Sequence, residues 1–324
     1  TAVSVQFLTL QMKHQEKIKG AIFGFALGDA LGVGAEFMTR NEIRNYYPGG
    51  LHRFEDIIRD AHRIQWLPGE WTNDTEIITR FLETILGCGG FDIHAIALSL
   101  KKFVNSDTFD GSPLLRTVCK APDWEKHPIA AAHKVWQSGK FVEATNEATQ
   151  RGIVTGITSR YVDLMEHTRR ITLITNDDNR CVSTGMILAR TAHSLLWDEK
   201  LPDFEDLVDI CEHIDPRTLQ WLEKTRVCKI EDLELDDLDT LSYTRKAMCA
   251  GLWPLWHSSS ATETFDTVIA QGGDADSNAA IAGALAGLRY GYDALPAEKE
   301  KLLRFDYLND LAERVAEYSE RQGR

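Results

Sequence analysis

The chain has 324 residues, of which 43% are hydrophobic and 26% are charged, so its composition predicts a folded protein with a buried core and excludes a disordered one. Its 36 Lys plus Arg against 49 Asp plus Glu give a formal net charge of −13, which disfavours general binding to nucleic acid. A local basic pocket for one nucleotide stays compatible with that charge. No apolar stretch reaches the roughly 18 residues of a membrane span, so no membrane association is predicted.

The cysteines and the first residues of the chain indicate the cellular compartment in which the protein is expected. Six cysteines are scattered without a C-x-x-C pair, which favours reduced thiols over a disulfide framework or a zinc site. The first residues, TAVSVQFLTLQMKHQEK, lack the charged leader, apolar segment and cleavage site of a secretory signal. We therefore expect a soluble, cytoplasmic protein.

Helical periodicity recurs along the chain, whereas alternating strand patterns are rare, so the sequence predicts an all-α fold. Apolar residues at helical spacing predict helices over 77–85, 181–196 and 302–318. No stretch resembles an interdomain linker. We expect residues 1–17 to form an N-terminal extension that precedes a single domain over 18–324.

Two series of glycines repeat every four residues within predicted helices, and each places a bare stripe along a helix. Because glycine is unfavourable in a helix by about 1 kcal/mol relative to alanine, such stripes indicate close approach to the backbone. Tight helix packing and approach to a ligand both explain them. The two series are Gly20, Gly24, Gly28 and Gly32, followed by Gly283, Gly287 and Gly291.

Three clusters of oxygen-bearing side chains lie in small-residue surroundings. Without thiol or imidazole groups, such donors favour a hard cation, Mg²⁺ or Mn²⁺, over zinc. Helix capping is the alternative at each cluster: Asn73 with Glu76 fits a capping box, and Asp276 or Ser277 could cap a helix. The clusters are Asp29 with Glu36, then Thr72, Asn73 and Asp74, then Asp274, Asp276 and Ser277.

Four motifs occur in order: GAIFGFALGDALGVGAEF, WTNDT, ITNDDNRCVSTG and QGGDADSNAAIAGALAGLRYG. Together they resemble the ADP-ribosylglycohydrolase family. The last motif is similar to the family's G-G-D-[TS]-D-[TS] followed by A-A-I-A-G-A-x-x-G. The resemblance implies a compact orthogonal multi-helix bundle with two Mg²⁺ or Mn²⁺ in a central cleft. It also implies hydrolysis of the glycosidic bond between ADP-ribose and a protein side chain, commonly arginine.

The family pattern implies roles for individual residues of this chain. Glu36, Asp74 and Asp274 are the expected catalytic residues, and Glu36 is expected near the substrate ribose. Gly28, Asp29, Gly156, Arg160 and Asn176 are expected to bind substrate, with Gly156 and Arg160 near the diphosphate because residues 155–160 resemble a degraded N-G-x-x-M-R loop. The expected metal ligands are Thr72, Asn73, Asp74, Asp274, Asp276 and Ser277.

Two departures from the pattern keep a second function open. Asn73 stands where the family has the first aspartate of T-D-D, and Asn176 stands where I-T-H has its histidine. The first change removes a negative charge from the expected metal site, and the second removes a group that titrates near neutral pH. The alternative is an inactive or weakly active immunity-type protein that recognises an ADP-ribosyltransferase toxin or an ADP-ribosylated target.

Aromatic side chains are also expected to contact the adenine of the substrate. The sequence offers Trp66, Trp71, Tyr290 and Tyr292 as stacking candidates, although core packing is the ordinary role of each.

Overall fold

The computed structural model describes residues 2–109, 111–139 and 144–324, with side chains described from residue 13 onward. All regular structure in these ranges is helical, apart from one isolated bridge between Thr145 and Tyr243, which confirms the predicted all-α class. The helices are α1 Ala2–Gly32, α2 Arg40–Tyr46, α3 Asn73–Cys88, α4 Ile93–Val104, α5 Pro113–Cys119, α6 Pro128–Gln137, α7 Arg151–Thr158, α8 Leu164–Leu173, α9 Asn179–Trp197, α10 Phe204–Ile214, α11 Leu219–Val227, α12 Thr244–His257, α13 Ala261–Ile269, α14 Ala275–Tyr290 and α15 Phe305–Gln322.

The two glycine stripes face each other where α1 packs against α14. A Cβ atom on Gly24 would lie 2.1 Å from the carbonyl oxygen of Gly283, and one on Gly287 would lie 1.9 Å from that of Gly20. Such distances are shorter than any non-bonded contact, so only hydrogen fits between the two backbones. Tight helix packing therefore explains these glycines. Gly291 lies outside the contact and follows the end of α14 with a φ of 86°.

Two of the three predicted helices fall within observed ones, and the third overlaps an observed helix. Residues 77–85 lie in α3 and residues 181–196 lie in α9, which is buried along nearly its whole length. Helices α7, α8, α10 and α12 pack around α9. The C-terminal helix begins three residues later than predicted, because residues 297–301 form a 3₁₀ turn and α15 starts at Phe305.

Helix α1 runs without a break through the expected boundary between residues 17 and 18. His14 is buried and hydrogen-bonds the Ser319 hydroxyl at 3.2 Å, and the Lys17 ammonium donates to the carbonyl oxygen of Leu195 at 2.6 Å. Residues just before the boundary thus already pack on α15 and α9. In the ranges that the structure describes, no helix is both long and apolar enough to cross a bilayer.

We predict that Gly24→Ala destabilises the protein by about 2 kcal/mol or more, because the new methyl group must push α1 away from α14. Gly87→Ala is the matched control, since a Cβ on this exposed glycine of α3 meets no atom within 4 Å. The control should gain about 0.5 kcal/mol from the lower entropy of its unfolded chain. Urea unfolding of both variants measures the difference, and equal stabilities would contradict the packing interpretation.

Candidate active site

The α1–α14 contact ends where the acidic residues begin. A Cβ on Gly32, the last residue of α1, would lie 2.4 Å from the Cα of Asp276 in the first turn of α14. The C-terminal end of one helix therefore meets the N-terminal end of the other. The glycine stripe brings Asp29 and Glu36, which flank the end of α1, to the cluster of Asp274 and Asp276.

Two backbone hydrogen bonds join the segment after α1 to the loop before α14. The amide of Phe37 donates to the carbonyl oxygen of Gly273 at 2.7 Å, and the amide of Gly273 donates to that of Met38 at 2.9 Å. Gly273 has a φ of 72°, and a Cβ there would lie 1.9 Å from the carbonyl oxygen of Leu235. Only glycine satisfies both conditions, which accounts for the second glycine of Q-G-G-D.

Asp29 is completely buried and holds the start of α3 against α1. Its Oδ1 accepts from the Thr72 amide at 3.0 Å, and its Oδ2 accepts from the amide and hydroxyl of Thr75 at 2.9 and 2.6 Å. Burial raises its pKa to about 6 against the effect of these donors. Because protein groups already occupy both oxygens, Asp29 positions the Thr72–Asn73–Asp74 turn in this structure.

Asp74 occupies the first turn of α3 and contacts two other parts of the chain. Its Oδ1 accepts from the Gln150 side-chain amide at 2.8 Å, and its Oδ2 accepts from the Ser277 hydroxyl. Burial, followed by the negative charges of Asp29 and Asp274, raises the pKa of Asp74 well above its ordinary value. Asp74 therefore links α3, α14 and the segment before α7.

The structure shows which of these residues cap a helix, and they are fewer than the sequence pattern suggests. Thr72, and not Asn73, is the N-cap of α3, where its hydroxyl accepts from the Asp74 amide at 3.2 Å. Asp274 occupies the N-cap position of α14 without a capping bond, while Asp276 and Ser277 lie inside the helix. The capping interpretations of Asn73, Asp276 and Ser277 are therefore wrong.

Asp274 is held by two segments that are distant in sequence. Its Oδ2 accepts from the Asn146 side-chain amide at 3.0 Å and from the Ser242 hydroxyl at 2.7 Å. These segments pair with each other, since the Asn146 amide donates to the carbonyl oxygen of Ser242 at 2.9 Å. Together they fix the position of the Asp274 carboxylate.

Of the carboxylates in the cluster, that of Asp276 receives the least stabilisation from hydrogen-bond donors. Its side chain is buried, and Oδ1 has no hydrogen-bond partner in the described residues. Burial, followed by the charges of Glu36, Asp274 and Asp74, raises its pKa well above the ordinary value. A buried oxygen without a donor is rare in folded proteins, because it loses its bonds to water without replacement.

Glu36 is the most accessible acid of the group, and a histidine orients it. His62 Nε2 lies 2.6 Å from Glu36 Oε2, and the imidazole packs against Phe37 and Trp66. The guanidinium of Arg63 donates to the backbone carbonyls of Gly34 and Glu36. Burial raises the pKa of Glu36, although the His62 hydrogen bond opposes that effect.

The cluster carries charge that the protein does not neutralise. Within the described ranges, no Lys or Arg forms an ion pair with Asp29, Asp74, Asp274 or Asp276. In the same part of the chain, no three His, Cys, Asp or Glu side chains alone form a metal-binding group. The expected ligand set also includes hydroxyl and amide oxygens, and the buried Gln150 Oε1 next to Asp74 is a further acceptor without a donor. The uncompensated charge and the unpaired oxygens fit a hard divalent cation.

An aromatic cavity of about 590 Å³ opens beside Thr72 and Asn73. Trp66 and Trp71 line it, as the stacking hypothesis requires, together with Phe103, Phe109 and Arg304. Tyr290 and Tyr292 lie instead at the far end of α14, where their hydroxyls donate to the Ser258 carbonyl and the Glu300 carboxylate. Of the four candidates, the two tryptophans are placed to contact a ligand near the cluster.

The remaining residues that were expected to bind substrate lie at different distances from the acidic cluster. Asn176 is buried and donates to the Thr145 hydroxyl at 2.9 Å, one residue before Asn146. Gly28 packs against the Ala279 backbone, and Gly156 packs inside the fold against Ala189 and Ala192. Arg160 is exposed, follows the end of α7, and forms an ion pair with Asp163. The structure therefore brings Asn176 close to the cluster but gives Gly156 and Arg160 no contact with it.

Sequence reasoning missed Asn146, Gln150 and Ser242. Asn146 and Gln150 belong to the segment N-E-A-T-Q-R at 146–151, which keeps the first asparagine and last arginine of N-G-x-x-M-R. That spacing would have located the segment. It keeps two residues of the pattern, as residues 155–160 also do, but its two amides contact Asp274 and Asp74. Nothing in the local sequence marks Ser242.

The chain thus combines an all-α fold with a buried cluster of carboxylates at the meeting point of two helix ends. The chain belongs to the ADP-ribosylglycohydrolase family, whose model matches residues 10–324. A solved structure described as an ADP-ribosylglycohydrolase-related protein complex has the same fold. It superimposes with a TM-score of 0.70 at 20% identity, over 95% of this chain and 99% of that one.

Two relatives with named activities are similar over most of their length. ADP-ribosylarginine hydrolase Tri1 of Pseudomonas putida (strain GB-1) is 26% identical over 93% of this chain and 78% of the relative. ADP-ribosyl-[dinitrogen reductase] glycohydrolase of Rhodospirillum rubrum is 23% identical over 87% of this chain and 88% of the relative.

We predict opposite effects of two isosteric substitutions in the metal-free protein. Asp29→Asn should lower stability by about 2 kcal/mol, because the new amide group turns N–H donors toward the donors of Thr72 and Thr75. Asp276→Asn should keep or raise the melting temperature, because it removes a charge that lies among four other carboxylates. Thermal unfolding in EDTA measures both. Equal destabilisation would contradict the distinction between a positioning carboxylate and an uncompensated one.

Proposed function

We propose that the protein is a metal-dependent ADP-ribosyl-protein hydrolase that cleaves the N-glycosidic bond between ADP-ribose and an arginine side chain. The observation that carries this proposal is the set of buried carboxylates without ion-pair partners. Asp74, Asp274 and Asp276 are brought together from two helix starts more than 190 residues apart in the sequence.

The cluster has the donors that two divalent cations need. Thr72, Asn73 and Asp74 from α3, with Asp274, Asp276 and Ser277 from the start of α14, would hold Mg²⁺ or Mn²⁺. When bound, such ions supply charge neutralisation and Lewis acidity at the sugar. Asn146, Gln150 and Ser242 would orient the carboxylates through the hydrogen bonds described above.

Glu36 is the residue placed to move a proton. His62 engages its Oε2, which leaves Oε1 free to accept a proton from the attacking water. The water oxygen then forms a bond to the anomeric carbon, the bond from that carbon to the arginine nitrogen breaks, and the leaving guanidine takes up the proton that Glu36 received from the water. Burial raises the pKa of Glu36 and makes its carboxylate a stronger base than one in water.

The substrate assignment rests on the cavity and on the relatives. A planar adenine matches the tryptophan-lined cavity beside Thr72 and Asn73, where stacking on Trp66 or Trp71 would bind it. The Pseudomonas putida and Serratia proteamaculans relatives are both named ADP-ribosylarginine hydrolases. Arginine is therefore the acceptor proposed for this chain.

Asn73 favours a second candidate, a protein that recognises an ADP-ribosylated target or its transferase without efficient hydrolysis. Asparagine supplies a neutral amide oxygen where the family pattern has a carboxylate, so one cation would be held less tightly. Binding of the modified protein without release of ADP-ribose would support this candidate.

We predict that the protein releases ADP-ribose from an arginine-ADP-ribosylated protein only when Mg²⁺ or Mn²⁺ is present. Asp276→Asn and Glu36→Gln should each lower kcat at least about 100-fold, because one removes charge at the metal site and the other removes the base. Asp310→Asn, an exposed carboxylate on α15, is the matched control and should retain full activity.

Chromatographic measurement of free ADP-ribose, with and without EDTA, gives the answer. Release that survives EDTA contradicts the metal requirement. Release that survives Asp276→Asn excludes the acidic cluster as the site.

A further inference from the structure

A second cavity, of about 710 Å³, lies between the start of α4, the face of α6 and the C-terminal half of α8. We call it the basic cavity, because Lys126, Lys134, Arg169 and Arg170 line it against a single acid, Asp177. Four positive groups against one negative group leave an excess of three positive charges. The chain as a whole has a net charge of −13, so this local reversal of sign is not explained by composition.

Most of the basic side chains of the basic cavity form no strong ion pair within the described part of the protein. The carboxylate of Asp177 is already engaged by His133. Lys126 has a long, exposed contact of 3.6 Å with Asp123, which contributes little to stability. Within the described part of the chain, Lys134 and Arg169 form no ion pair. Both are exposed, so they are available to an anion that enters the cavity.

The N-terminus of a helix also lines this cavity and adds backbone N–H groups, which carry partial positive charge. Helix α6 begins at Pro128, and His127 at its N-cap position makes no side-chain capping bond. The first-turn amides of Ile129 and Ala130, which also line the cavity, consequently have no acceptor among the described residues. Free amides and the positive end of the helix dipole favour a negatively charged group, phosphate above all.

Part of the lining of the basic cavity is apolar. Ile93, Ile129 and Leu173 contribute side chains that are buried or half-buried. A ligand that carried charge alone would leave these surfaces exposed to water. The combination suits a small molecule with both an anionic group and an apolar part, and the volume lies in the usual range for small-molecule sites.

The basic cavity is separate from the acidic cluster. The cluster lies at the first turn of α3, whereas Ile93 and His94 begin the next helix, after the end of α3. The 16 residues of α3 extend about 24 Å at 1.5 Å per residue, so the Ile93 side of the basic cavity lies at the other end of this helix from the cluster. The Asp177 side of the cavity follows Asn176 and lies nearer to the cluster. Their charges are opposite in sign, and a ligand of one would be repelled by the other.

We propose that the basic cavity binds a small phosphate ester, with the phosphate at the N-terminus of α6 between Lys134 and Arg169 and the organic part on Ile93, Ile129 and Leu173. This site is additional to the proposed hydrolytic site. A carboxylate-rich peptide is the competing occupant. It is less suited, because the uncapped helix start offers a compact set of donors that a phosphate group can use together.

Isothermal titration calorimetry with phenyl phosphate and inorganic phosphate tests the proposal on the full chain. Titrations in EDTA keep metal ions out, so the result does not depend on hydrolytic activity. Phenyl phosphate should bind several-fold more tightly than inorganic phosphate. The double variant Lys134→Ala/Arg169→Ala should weaken phenyl phosphate binding at least tenfold.

The matched control is Lys102→Ala/Lys200→Ala, which makes the same change in net charge at exposed positions outside the cavity. It should bind phenyl phosphate within twofold of the wild type, and circular dichroism checks that both variants fold. Equal weakening by the two double variants, or no heat of binding with phenyl phosphate, overturns the proposal. Preferential binding of a hexaglutamate peptide also overturns it in favour of an acidic segment.

Discussion

The direct contact between the backbones of α1 and α14 is the constraint on which the candidate site depends. Because glycines face each other at Gly20, Gly24, Gly283 and Gly287, the two helices approach more closely than side chains allow. Helix α1 consequently ends beside the start of α14. The close approach places Asp29, Glu36 and Asp276 in one region without any need for long side chains.

The buried carboxylates divide into two kinds according to what surrounds their oxygens. Asp29 has a donor for each oxygen, and its pKa of about 6 reflects burial offset by three hydrogen bonds. Asp276 has an oxygen without a donor and four acids nearby, so its charged form lacks compensation within the protein. Groups of the second kind are unfavourable to folding and mark functional sites more reliably than buried acids in general.

Much of the fold and part of the site can be predicted from the sequence, because they follow from local patterns. Apolar periodicity located α3 and α9, and the oxygen-rich motifs located Asp74, Asp274 and Ser277, which the structure brings into one network. Capping was predicted wrongly for Asn73, because Thr72 fits the N-cap geometry and the pattern alone does not fix the register. Ser242 and Gln150 depend on contacts between distant segments, which no local pattern encodes. The hydrogen bonds that the Asp29 oxygens accept from Thr72 and Thr75 also join distant segments.

The facing glycine stripes also limit how the length of the chain can change. Each residue of an α-helix turns by about 100°, so a deletion of one residue between Gly20 and Gly32 would rotate the rest of α1 and bring side chains against α14. An insertion of four residues would nearly restore the rotation but would move Asp29 about 6 Å along the axis, away from the amides of Thr72 and Thr75. Insertions and deletions that preserve the site must therefore fall in the connecting loops.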